Sequence, residues 1–160
     1  MRTSILKPVI LFLLVTFSIQ IKAQSDQDKR AQLKSLIDSK KYHFNALSAG
    51  TLRGKTIQLN GEYFLFMNQD SLIADLPYYG RSYTADYPAT DLSIRFKTTR
   101  FTYTCDTTKK GGWSMTIIPK NQPRASKIYM SVSPDGYCNM SVNSNSRETI
   151  SFYGTILPSK

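Results

Sequence analysis

Ile128-Tyr129-Met130-Ser131-Val132-Ser133-Pro134-Asp135-Gly136-Tyr137-Cys138-Asn139-Met140-Ser141-Val142 holds two alternating runs on either side of a turn. Side chains along a strand alternate between its faces, so Ile128, Met130 and Val132 share one face, and Cys138, Met140 and Val142 share one face of the next. A two-residue Asp135-Gly136 loop would set Val132 opposite Asn139. A three-residue loop, Pro134-Asp135-Gly136, sets Val132 opposite Cys138 and Met130 opposite Met140. Pro134 then opens a type I turn and Gly136 takes the left-handed position. The three-residue loop is expected, because a slip of one residue would turn the whole apolar face outward.

The same period extends in both directions. Strand patterns fall at 92–97, 100–106, 113–119, 126–133, 137–143 and 148–156. Upstream, Tyr42, Phe44 and Ala46 alternate with His43 and Asn45, as in a half-buried strand. Thr56-Ile57-Gln58-Leu59 and Glu62-Tyr63-Phe64-Leu65-Phe66 flank Asn60-Gly61, a strong hairpin signal that predicts Ile57 opposite Phe64. Asn68-Gln69-Asp70 turns the chain into Ser71–Leu76. One segment has a different period: after Ser25, a good N-cap, Leu33, Leu36 and Ile37 recur at helical spacing, with Asp26 and Asp28 at the positive end of the dipole. The expected fold is all-β: an antiparallel meander forming a small barrel or a barrel-like sandwich, with one short N-terminal α-helix plugging or covering one end.

Residues 1–23 read as a signal peptide. Arg2 and Lys7 precede the apolar Pro8–Val15 run, and Ala23 offers a small residue before Gln24. Thr16, Ser18 and Gln20 interrupt the apolar segment before the ~20 residues of a membrane span, so no stable span is expected after cleavage. The chain is thus expected to be exported, periplasmic or secreted, with residues 24–160 forming a single β domain. The full sequence has 21 basic and 11 acidic residues, a formal charge of +10. Loss of Arg2, Lys7 and Lys22 with the leader leaves 18 basic residues and +7. Such a surface suits polyanions, although the lysines are scattered rather than in runs.

Leu76-Pro77-Tyr78-Tyr79-Gly80-Arg81-Ser82-Tyr83, Ile94-Arg95-Phe96, Lys109-Lys110-Gly111-Gly112-Trp113 and Ser151-Phe152-Tyr153-Gly154 occur in that order along nearly the whole mature chain. In these motifs the sequence resembles the domain of unknown function 4251 family, found in exported proteins of Bacteroidetes-type bacteria. The resemblance implies export and a single β domain; it implies no reaction and no site residues.

No catalytic constellation stands out. A nucleophilic triad needs a base, and the only histidine, His43, lies on a strand with no accompanying nucleophile elbow. One histidine and two distant cysteines do not make a zinc site, so no metal or cofactor is expected. Asp75, Asp86 and Asp91 bracket an aromatic loop and support a weak hydrolase alternative, although aspartates there are usually turn formers. In a plain meander two strands separate Cys105 from Cys138, roughly 14 Å at ~4.8 Å per strand. That exceeds disulfide reach, so two inward, buried free thiols are expected over a bridge.

The stretch 76–91 is long for a connection in a small domain, and such loops are often functional. Tyr78, Tyr79, Tyr83 and Tyr87 gather around Arg81, combining apolar faces with polar tips and a cation able to grip a carboxylate or phosphate. Of these, Tyr78, Tyr79, Arg81 and Tyr83 are the expected ligand-binding residues; the structural alternative has the tyrosines lid the barrel end. The expected function is a non-catalytic exported binding module for a small amphipathic or anionic cell-envelope molecule. The alternative is a structural or protein-interaction domain without a pocket. A cavity lined by Phe64, Phe96, Tyr103, Trp113 and Phe152 would favour the binder, and tight packing of them the interaction domain. Nucleic acid is not an expected partner of an exported chain.

Overall fold

In the computed structural model, which describes residues 27–83 and 93–159, helix α1 spans 27–38 and the alternating runs form strands. These are β1 (Lys41–Thr51), β2 (Thr56–Gln58), β3 (Phe64–Asn68), β4 (Ser71–Leu76) and β5 (Ile94–Thr98), followed by β6 (Phe101–Thr107), β7 (Trp113–Pro119), β8 (Lys127–Val132), β9 (Tyr137–Asn143) and β10 (Ile150–Pro158). Nine of them follow the order β5-β4-β3-β1-β10-β9-β8-β7-β6, and β2 pairs with β1 beside β3. Neighbours are antiparallel throughout. The sheet is a meander curled into a nearly closed barrel. The first and last strands meet, Tyr42 facing Pro158 and Thr51 facing Ile150. The seam lies in mid-chain, where β5 and β6 are separated only by Thr99 and Arg100 and yet form the two ends of the path.

One face of every long strand fills the barrel. Tyr42, Phe44, Leu65, Met67, Leu72, Met115, Ile117, Ile128 and Cys138 have no solvent-accessible surface, so no water-sized space lies beside them. This is a packed interior of the kind small barrels make from inward side chains. Trp113 and Phe152 belong to it, and Phe96 and Tyr103 are partly buried against it. Phe64 does not: β3 buries Leu65 and Met67, which puts Phe64 and Phe66 on the outer face.

The β8–β9 hairpin has the three-residue loop. Val132 faces Cys138 and Met130 faces Met140; the Ser133 amide donates to the Tyr137 carbonyl, and Gly136 has φ of 86°. The Asn60-Gly61 expectation is corrected. β2 and β3 do not pair, so Ile57 faces Ala49 and Phe64 faces Asn45, both on β1. At eleven residues β1 is long enough to pair with both segments in tandem. Gly61 has positive φ and Asn60 does not, which excludes a type I′ turn. Leu47 is the extra residue of a bulge in β1 opposite Gly154 and Tyr153.

Helix α1 buries Leu33 and Ile37 and half-buries Leu36. It covers the barrel end formed by the β6–β7 and β8–β9 turns: Arg30 bonds the Gly111 carbonyl at 3.1 Å, and Leu33 reaches Gly136. Ser25, the expected N-cap, lies outside the described residues, as does the leader. Both cysteines are free. They stand on β6 and β9 with two strands between them, as a meander requires. Cys138 is buried, but Cys105 is exposed, because β6 is an end of the sheet path, with no strand beyond it among the described residues.

Candidate functional site

Beyond β4 the chain passes over the barrel end opposite α1 and docks on the β9–β10 connection. The Tyr83 amide donates to the Ser146 carbonyl at 2.8 Å, the Glu148 amide to the Arg81 carbonyl at 3.0 Å, and Ser82 bridges Arg147. The Arg81 amide donates to the Glu148 carboxylate at 3.2 Å. Tyr78 is buried, with its hydroxyl 2.8 Å from the Arg81 carbonyl and 2.9 Å from that of Glu148. Burial is the main cause raising its pKa. Among the expected site residues, Tyr78 therefore turns inward and clasps two loops, while Tyr79, Arg81 and Tyr83 stay exposed. Asp86, Tyr87 and Asp91 lie outside the described residues. Asp75 accepts a 2.8 Å bond from Arg95 Nε across β4 and β5.

His43 occupies the outer face of β1, its ring 5.3 Å from that of Phe64 and 6.4 Å from that of Phe66. Strand register puts Ile73, Phe66, His43 and Leu157 in one row across four strands. A groove of about 620 Å³ lies over His43, Phe66 and Leu157 of this row, with Asn45, Gly61 and Pro158 also in its wall. Burial lowers the His43 pKa below 6.5. Among the described residues no three His, Cys, Asp or Glu side chains gather as a metal site would need.

The two flanks of α1 differ in character. On one side Leu33 and Leu36 face Pro134, Gly136, Ile156 and Pro158 across a groove of about 420 Å³, with Lys29 and Asp135 at its rim. On the other, Arg30 and Lys34 face Thr107, Thr108 and Lys109 across a second cleft of about 420 Å³, bounded also by Gly111 and Trp113. Arg30 and Lys34 are one helical turn apart and share a face. The β6–β7 turn that opposes them is closed by the Gly111 amide to the Thr108 carbonyl and the Thr108 amide to the Gly112 carbonyl, both 2.9 Å. The helix and the Lys109–Trp113 motif are legible in the sequence, but the Arg30–Lys34 pair is not singled out there, and no signal joins residues 81 positions apart.

The model of the domain of unknown function family DUF4251 matches residues 24–156. The chain is similar to the crystal structure of a DUF4251 family protein from Bacteroides eggerthii DSM 20697, with a TM-score of 0.60 and 15% identity over 84% of this chain and 91% of that one. At that identity the likeness is one of fold. No curated protein matches.

Proposed function

The chain belongs to the domain of unknown function family DUF4251, and on that premise we propose that it is an exported, non-catalytic binding module. Its ligand is a small amphipathic, anionic molecule of the cell envelope, held outside the barrel beside α1. The packed interior leaves no room for a ligand inside the barrel and by itself favours the interaction reading; the observation that carries the binder reading is instead on the outside, the pair of clefts on α1, one apolar and one cationic. A molecule with an apolar body and a negative group finds both complements within the width of one helix, ~10–12 Å. The mature charge of +7 favours the same class of ligand by drawing anions to the surface. Export is supported by the leader-like residues 1–23 and by a family match that begins at residue 24. No described helix is long and apolar enough to cross a membrane.

Native mass spectrometry of the protein purified from its own envelope tests this. A reproducible extra mass is expected that disappears on denaturation and is reduced in a Leu36→Gln variant. Its absence from the native protein overturns the reading in favour of an interaction domain. That second reading has its own observation: Tyr137 and Tyr153 stack with ring centroids 5.8 Å apart and stand 49% and 41% exposed on the outer sheet. Exposed aromatics of this kind are common anchors of protein interfaces.

A further inference from the structure

We propose that the cationic cleft between α1 and the Thr107–Gly112 turn is a site for a phosphate group. The inference rests on the reading of the α1 flank as the ligand surface and names the chemistry of its polar half.

Charge and hydrogen-bond inventory select the group. Arg30, Lys34 and Lys109 are in the cleft wall, and no carboxylate is among the lining residues. Asp38 pairs with Lys34 along the exposed helix surface, and Asp106 precedes Thr107 on β6 outside the wall. Three cations in a wall without a carboxylate make the cleft net positive, the complement of the charge of about −1.5 to −2 on a phosphate monoester at neutral pH. The Lys34–Asp38 pair is solvent-exposed on both sides. Exposed pairs of this type contribute ~0–1 kcal/mol, so a denser anion can compete for Lys34.

Arg30 is held ready. Its Nη2 donates to the Gly111 carbonyl at 3.1 Å, and the guanidinium packs close to Gly111, where a Cβ would come within 2.4 Å of that nitrogen. Gly111 has φ of 78°, a left-handed conformation that also favours glycine. The remaining N–H groups of the fork keep the planar geometry that phosphate accepts. Thr108 Oγ1 accepts from the Gly112 amide at 3.1 Å, which leaves its own proton to donate. The Lys109-Lys110-Gly111-Gly112-Trp113 motif thus acquires a role: cations, a glycine seat for Arg30, and a tryptophan at the base.

Trp113 is the single tryptophan in the chain; it belongs to the barrel core and also lines this cleft, so its emission is a single-residue probe of the cleft wall. Inorganic phosphate is titrated into the purified full chain at low ionic strength, with chloride as the control, by calorimetry and tryptophan emission together. A saturable heat with a matching emission change is expected. In Lys34→Gln/Lys109→Gln, which alters two exposed side chains, the affinity should fall about tenfold or more. Arg30→Lys, which keeps the charge and loses the fork, should weaken binding as well. No saturable heat, heat without an emission change, or affinity unchanged in the double variant overturns the site.

Free and lipid-borne phosphate are separated by glycerol 3-phosphate in solution and by sedimentation with phosphatidic acid vesicles against phosphatidylcholine vesicles. Binding of the soluble compound alone assigns a free phosphorylated molecule; binding of both assigns a headgroup. Binding of neither overturns the proposal. If the native protein still carries a mass that Leu36→Gln removes while phosphate fails, the phosphate site falls and the α1 reading stands. If phosphate binds and no such mass exists, the amphipathic-ligand reading falls.

Discussion

The guanidinium of Arg147 lies over the ring of Tyr78, 5.2 Å from its centroid, and both side chains are withdrawn from solvent at one end of the barrel. Among the described residues Arg147 is the buried charged one, at 2% exposure. A cation over an aromatic face is attracted by the ring quadrupole, more strongly when water is excluded. The pair ties the segment after β4 to the segment before β10. Tyr78→Phe keeps the ring under Arg147 and removes the hydroxyl shared by the Arg81 and Glu148 carbonyls. A loss of about 1 kcal/mol or more is expected, read as a lower urea midpoint with an unchanged slope.

Protonation of His43 should oppose folding. Burial lowers its folded pKa below 6.5, so as pH falls the unfolded chain binds a proton before the folded one does. The contribution is therefore present above pH 6.5 and is lost as pH falls through the folded value. Urea midpoints between pH 8 and pH 5 should decline more steeply for the native protein than for His43→Gln. Parallel curves for the two proteins would contradict this assignment.

Gly154 marks the tightest approach of β10 to β1. A Cβ there would stand 2.0 Å from the Asn45 carbonyl oxygen and 2.8 Å from Phe44 Cε2. Backbone cannot yield as a flexible side chain does, so Gly154→Ala should destabilise the barrel by about 3 kcal/mol. Thermal unfolding will show a fall in Tm of many degrees; a shift of a degree or less would mean the strands can part without cost.

The two thiols should react in sequence. Burial raises both pKa values, that of Cys138 to about 12; at Cys105 the Tyr103 hydroxyl acts against the rise, and its side chain is exposed where that of Cys138 is buried. The thiolate is the reactive form. At pH 8, iodoacetamide should slowly modify Cys105 alone in the folded protein and reach Cys138 only after unfolding. Cys105→Ser should leave the folded protein unreactive.

The strands were legible because one face of each is buried and the other wet, which writes a period of two into Met130-Ser131-Val132 or Met140-Ser141-Val142. Register at Pro134-Asp135-Gly136 followed from the same constraint. The Asn60-Gly61 hairpin failed for a reason local sequence does not carry: β1 offers an edge long enough for β2 and β3 in tandem, and a short strand gains more from that partner than from its neighbour. Exposure of Cys105 depends on where the meander stays open, and alternation is the same on an edge strand as on a central one. The cleft that joins Arg30 to the Lys109–Gly112 turn needed the path of the helix across the barrel end, which periodicity leaves undefined.

The join between β1 and β10 sets a timetable for the chain. Its partners, Tyr42 with Pro158 and Phe44 with Ile156, are separated by almost the whole domain, and contacts of such long range form late and slowly. Hairpins such as β8–β9 can assemble as soon as their residues emerge, but a growing chain has β1 exposed and no β10 to cover it. Deleting the last strand should therefore do more than trim an end: it strands the middle of the sheet as an open edge and leaves a product prone to aggregate.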